Sequence, residues 1–122
     1  FDAIHRLKTG ALIKASVLAG ALCADADGRA LSALTAFSEQ YGLLFQVTDD
    51  ILDVEGDAVT LGKSVGKDET ERKLTSVRRL GLDGAKRCAK EAAERACAAL
   101  EPFGADAGFF RDLTDITLHR HA

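Results

Sequence analysis

The chain has 122 residues, 47% of them apolar, and a net charge of -3, which supplies enough apolar material for one packed core and excludes a disordered chain. Its basic residues are scattered, which excludes an electrostatic footprint for nucleic acid, and its longest charge-free apolar stretch, Ala15 to Ala24, is shorter than the roughly 18 residues of a membrane span. Cys23, Cys88 and Cys97 form no CxxC pair and are odd in number, so they read as reduced, buried thiols of a cytoplasmic protein.

The spacing of Ile4, Leu7, Ala11, Leu12, Ala15, Leu18 and Leu22 predicts a helix from Phe1 to about Ala24. Charge vanishes after Lys14, so its second half is expected to be buried. The chain begins at Phe1 inside this pattern, without methionine or a signal-peptide layout, and is expected to be a piece of a longer protein. Asp25 to Gly28 reads as a short turn, followed by a long helix from Ala30 to about Glu55 that is apolar nearly all round, as a central bundle helix would be. Gly56 to about Glu69, with Gly56, Gly62 and Gly66, reads as an irregular loop of functional length. A short helix near Arg72 to Leu80 follows, then a turn at Gly81-Leu82-Asp83-Gly84 in which Asp83 is the expected N-cap. Ala85 to Leu100 is amphipathic: Ala85, Cys88, Ala89, Ala92, Ala96, Ala99 and Leu100 share one face, and Lys86, Lys90, Glu91, Glu94 and Arg95 lie outside it. Pro102 and Gly104 end that helix, and Asp106 is expected to start a last one running through Phe109, Phe110, Leu113, Ile116 and Leu118 to His119-Arg120-His121. The two histidines, two apart on a helical tail, cannot share a face and read as solvent-exposed. With no strand alternation and no repeat, the fold class is all-α, a helical bundle.

Asp49-Asp50-Ile51-Leu52-Asp53 carries the chemistry. From Ala30 to Val54 the only other charge is Glu39, and at about 100° per residue Gln46, Asp49, Asp50 and Asp53 fall within an arc of about 100°, with Gly42 on the same stripe. Like charges at i,i+4 oppose helix formation, acid at a helix C-terminus opposes the dipole, and unpaired buried carboxylates are costly. Such a cluster calls for a cation. Mg²⁺ suits it, because that ion keeps most of its waters and takes one or two carboxylates together with substrate phosphate oxygens.

Lys63 and Lys67 lie on the glycine-rich segment leaving this cluster and can fold back over an anion bridged by the metal. Lys8-Thr9-Gly10 places a lysine and a hydroxyl before a charge-poor helix, where they could point into a shared cavity or, for the lysine, snorkel at a helix end. Gly56 to Gly62-Lys63-Ser64 is not a nucleotide-binding P-loop: five residues separate the glycines where the motif needs four, and a helical pattern precedes it.

His5-Arg6-Leu7-Lys8-Thr9-Gly10-Ala11-Leu12-Ile13, Gly42 through Asp53, Leu61-Gly62-Lys63, Gly66-Lys67-Asp68 and Lys73-Leu74-Thr75 stand in an order and spacing that resemble the C-terminal part of a bacterial trans-isoprenyl diphosphate synthase of the farnesyl or geranylgeranyl type, a member of the polyprenyl synthetase family. The resemblance covers nearly the whole chain. It implies an isoprenoid synthase-type bundle, with residues 1–122 forming the C-terminal portion of a single polyprenyl synthetase domain. It further implies a homodimer as the full-length chain, Mg²⁺ as cofactor, and condensation of an allylic diphosphate with isopentenyl diphosphate by ionisation, attack and proton loss. Asp49, Asp50 and Asp53 resemble the second aspartate-rich motif that holds Mg²⁺ against the allylic diphosphate; Lys8 and Lys63 resemble lysines that contact that diphosphate, and Lys67 is placed with them. Thr9 and Gln46 match residues whose dipoles lie beside the reacting carbon. The family's first aspartate-rich motif, with its paired arginines, does not occur in these residues, and Val77-Arg78-Arg79-Leu80 is more basic than the family's usual apolar stretch. The 122 residues thus resemble the back half of a chain more than twice as long, inactive on their own, and the determinants of product length lie outside them. Two other expectations compete with a prenyltransferase: a non-catalytic helical regulatory subunit of such a synthase, and a class I terpene cyclase, which also uses an Asp-rich helix.

Overall fold

The structure, a computed structural model, describes residues 2–61 and 76–120. These form four α-helices and one 3₁₀ segment: α1 (Asp2–Cys23), α2 (Gly28–Leu61), α3 (Ser76–Ala99), the 3₁₀ segment Glu101–Ala107, and α4 (Gly108–His119). No strand occurs among the described residues. Nor, among them, is any helix long and apolar enough to cross a membrane.

The junction between α1 and α2 explains both boundaries. Asp25 adopts φ 61, its N–H donates to the Leu22 carbonyl, and the Ala26 N–H donates to the Ala21 carbonyl. This is a Schellman closure with aspartate in the position usually held by glycine. Two residues on, the Asp27 carboxylate accepts from the Ala30 N–H at 2.8 Å and caps the start of α2.

α2 is the centre of the bundle, packing against α1, α3 and α4. Its inward residues Phe37, Tyr41, Leu44, Val47 and Ile51 meet the small face of α3, built from Ala85, Ala89, Ala92, Ala93 and Ala96, with Leu100 beyond it. The alanines let the α3 backbone come close, so that the large side chains of α2 fill the space between the two helices. Phe37 also meets Phe110 of α4, their ring centroids 5.0 Å apart. Tyr41 is hydrogen-bonded to Thr117 at 2.8 Å. Because the Thr117 hydroxyl already donates to the Leu113 carbonyl, the tyrosine O–H is the donor, and the pair ties α4 to α2 through a satisfied buried contact.

Several expected boundaries move. α2 continues as helix through Gly56 to Leu61 instead of breaking into a loop at Gly56, since one glycine costs a helix only about 1 kcal/mol. The Gly81–Gly84 turn reduces to a kink at Gly81 alone, with φ 75 and ψ 166. Asp83 consequently stands inside the helix after the kink and does not cap it. A 3₁₀ segment, turned at Gly104 with φ 55, occupies the stretch where Asp106 was expected to start the last helix, and Ala107 precedes α4 without a side-chain cap. Cys23 is exposed and Cys88 and Cys97 are half-buried, all three free; the expectation of buried thiols fails because Cys23 ends α1, where the chain turns into solvent. His119 is exposed as expected, and His121 lies outside the described residues.

Candidate active site

Gln46, Asp49, Asp50 and Asp53 occupy successive turns of α2, and the structure divides the carboxylates. Asp49 and Asp53 are exposed, whereas Asp50 is buried. Helix geometry accounts for this: residues four apart lie nearly in line, while the neighbour is turned by about 100°, here towards α1.

Asp50 is satisfied by protein donors. One of its oxygens, Oδ2, accepts from the Ser76 N–H at 3.1 Å and from the Ser76 hydroxyl at 2.9 Å. The same oxygen pairs with the guanidinium of Arg6. A backbone N–H at a helix start has no intrahelical acceptor, and a carboxylate there also matches the helix dipole. The cation that the buried charge requires is an arginine from α1.

Asp49 faces a second arginine. Arg120 Nη2 stands 3.7 Å from Asp49 Oδ1 and donates to the Phe45 carbonyl at 3.2 Å and to the Thr48 hydroxyl at 3.1 Å. Its guanidinium carbon lies 4.6 Å from the Phe45 ring centroid, a cation–π arrangement. The chain end, expected to be solvated tail, is thereby drawn onto α2, with the Arg120 side chain only 22% exposed.

α1 runs antiparallel beside this turn. The pair Lys14–Glu39, at 3.2 Å, joins the two helices at one level, Arg6–Asp50 joins them at another, and between these a Cβ added at Gly42 would meet the Gly10 Cα at 3.7 Å. This close approach is the structural use of the two glycines. Alongside it opens a groove of about 450 Å³ lined by Leu7, Gly10, Ala11, Gly42, Leu43 and Gln46 among others. Its wall is largely apolar, and Gln46 stands one turn before the aspartates. Thr9 is half-buried, next to the Arg6, Gly10, Ile13 and Val17 stripe that meets α2. Lys8 is exposed and, at about 100° per residue, points to the opposite side of α1, so the fold does not bring it to the aspartates. Lys63 and Lys67 lie outside the described residues. A larger groove of about 1200 Å³ opens between α2, α3 and α4, where Thr48, Leu52, Lys90 and Arg120 contribute to the lining; neither Gln46 nor any of the three aspartates lines it.

Among the described residues no group of three or more His, Cys, Asp or Glu side chains is gathered to hold a metal ion. Two exposed carboxylates on one line of a helix, Asp49 and Asp53, are nevertheless the hard oxygen donors that Mg²⁺ takes when waters and phosphate oxygens complete its shell. Arg6 and Arg120 are the functional candidates that spacing alone did not single out. For Arg6 a signal existed, since it is the one charge on the stripe of α1 that carries Gly10, Ile13 and Val17. For Arg120 there was none, because it lies past the last helix and 72 residues from its partner Thr48.

The described residues therefore define an all-helical bundle whose central helix carries the aspartate turn directly after Gln46, the last α2 residue to line the α1–α2 groove; none of the three aspartates lines that groove itself. Comparison with known proteins supplies the family. The family model for polyprenyl synthetase matches residues 1–102. The farnesyl diphosphate synthase of Escherichia coli strain K12 is 52% identical over 91 residues, which are 74% of this chain and 30% of the relative. That of Haemophilus influenzae is 45% identical over 102 residues, 82% of this chain and 35% of the relative. Among solved structures, that of a Marinomonas sp. MED121 protein assigned to the farnesyl-diphosphate synthases superposes with a TM-score of 0.73 at 37% identity, covering 91% of this chain and 36% of that one. The chain belongs to the polyprenyl synthetase family, and it spans about a third of the length of the curated relatives it matches.

Proposed function

We propose that the full-length protein is a Mg²⁺-dependent prenyltransferase that condenses isopentenyl diphosphate with an allylic diphosphate, dimethylallyl or geranyl, to a short-chain product of the farnesyl type. The observation that carries this reading is the groove between α1 and α2, apolar along Leu7, Ala11 and Leu43 and reaching Gln46 one turn before Asp49 and Asp53. The names of the relatives agree with it.

The chemistry asks three things of such a site. The allylic C–O bond breaks and diphosphate leaves; the double bond of isopentenyl diphosphate attacks the resulting carbocation; a proton is then lost. A cation on carbon needs an apolar, water-poor wall and preorganised dipoles, with no nucleophile near it. The groove side chains provide the wall, and the amide oxygen of Gln46 provides a dipole of the required sign; Thr9, half-buried on α1 but not among the residues that line the groove, is assigned a like role by the family resemblance. Asp49 and Asp53 would hold Mg²⁺, which when bound supplies the charge that stabilises the departing diphosphate. Lys63 and Lys67 are assigned to the diphosphate by family resemblance, as point charges on phosphate oxygens; Lys8 shares that resemblance, but it faces the other side of α1 and no diphosphate contact is proposed for it.

Incubating the full-length protein with labelled isopentenyl diphosphate, dimethylallyl or geranyl diphosphate and Mg²⁺ tests the reading. A labelled prenyl diphosphate that requires Mg²⁺ is expected. No product from either allylic partner, with the protein folded and Mg²⁺ in excess, would overturn it.

A further inference from the structure

Three adjacent-turn carboxylates on one helix invite a single role for all of them, and the geometry argues against that. Asp50 is 7% exposed, and its Oδ2 already receives the guanidinium of Arg6 and two hydrogen bonds from Ser76. A Mg²⁺ ion on this carboxylate would stand next to a partly buried guanidinium, where like charges are poorly screened. Asp49 and Asp53 differ from it in facing outward, where a metal and its waters have room; the arginine nearest Asp49, Arg120, stands 3.7 Å away and is directed to the Phe45 carbonyl and the Thr48 hydroxyl. Ser76 adds a second reason, because its N–H is held by Asp50 at the start of α3; a metal drawing the carboxylate away would leave that donor unsatisfied.

We infer that Asp50 is a positioning residue, which through Arg6 and Ser76 fastens α1 and α3 to α2 and so sets the register of the apolar groove against Gln46, while metal binding falls to Asp49 and Asp53. The inference rests on the proposed reading of the α2 face as a Mg²⁺-diphosphate site. Arg6 lies one turn from Gly10, and Gly10 abuts Gly42, so the ion pair fixes the sliding of α1 along α2 at the level where the groove opens. Losing the pair releases α1 without removing any metal ligand.

The test uses the full-length protein and four variants: Arg6→Gln, Asp50→Asn, the double variant, and Asp49→Asn. Thermal unfolding, calorimetric binding of inorganic diphosphate with Mg²⁺, and steady-state condensation are measured below every midpoint. Arg6→Gln and Asp50→Asn are expected to lower the midpoint by similar amounts, about 5–10 °C, and the double variant by no more than the worse single one, as partners in one buried pair do. Both single variants should bind Mg²⁺-diphosphate within about threefold of wild type while kcat falls about tenfold, a split that lost stability alone does not produce. Should Asp50→Asn fail to fold, Arg6→Lys replaces it, and recovery of kcat towards wild type relative to Arg6→Gln is the expected result. Loss of Mg²⁺-diphosphate binding in Asp50→Asn while Arg6→Gln binds normally, or additive midpoint losses in the double variant, would overturn the inference. Asp49→Asn separates this from the underlying reading: if it binds Mg²⁺-diphosphate as wild type does, the metal face is wrong, whatever the Arg6 and Asp50 variants show.

Discussion

Asp49 and Arg120 are a pair whose two members have different jobs. Asp49 is 55% exposed at its side chain and supports nothing in the core, so if the proposed function holds, Asp49→Ala in the full-length protein should lower turnover by at least about a hundredfold with no loss of fold, the loss being of the charge that would stabilise a leaving diphosphate. Steady-state rates at saturating Mg²⁺, with circular dichroism as the control, check this. Arg120 is the reverse case. Its guanidinium satisfies the Phe45 carbonyl and the Thr48 hydroxyl and covers the Phe45 ring, so Arg120→Ala should cost about 1–2 kcal/mol in chemical denaturation of the full-length protein. A change of under about 0.5 kcal/mol would mean that the chain end adds nothing to stability. The acidic turn stood out in the sequence because three carboxylates close an otherwise apolar helix. Which carboxylate turns inward was not legible, since a neighbour 44 residues away decides it.

At the scale of elements, hydrophobic periodicity located the helices but split α3 in two and expected the second half of α1 to be buried, whereas most of that half is exposed, and it misjudged what glycine does between them. Gly56 was read as a breaker and is an ordinary helical residue; Gly81 was read as part of a four-residue turn and is the whole kink. The two differ in backbone conformation. Gly56 is exposed inside a 34-residue helix, whose propagation tolerates the cost of about 1 kcal/mol that one glycine brings. Gly81 instead has φ 75 and ψ 166, a region open essentially to glycine alone. Gly81→Ala should therefore destabilise the protein by about 1–3 kcal/mol, read from its thermal unfolding. Gly56→Ala, at a helical position with nothing within 4 Å of the added Cβ, serves as the comparison and should be neutral or mildly stabilising. Equal effects of the two substitutions would contradict the kink assignment.

The bundle as a whole leaves a large apolar surface in water. Leu7 is 73% exposed, Leu12 69% and Leu22 65% along α1, and Phe109 72% and Ile116 66% along α4. A protein consisting of these 122 residues is therefore expected to self-associate and to form no prenyl product, because a diphosphate held by metal needs carboxylates from more than one side of a cavity. Light scattering after gel filtration, with a parallel condensation assay, checks both halves; a monodisperse, active monomer would refute them. The all-helical class, the order of the elements, the α2 centre and the acidic turn were determined by the sequence by itself, because periodicity and local charge are properties of neighbouring residues. Tertiary structure alone decided that Asp50 turns inward, that Arg6 pairs with it, that Lys8 lies on the far side of α1 from the Arg6–Gly10 stripe, and that Arg120 returns to α2. Each of those depends on where distant helices cross, and short-range spacing carries no information about that.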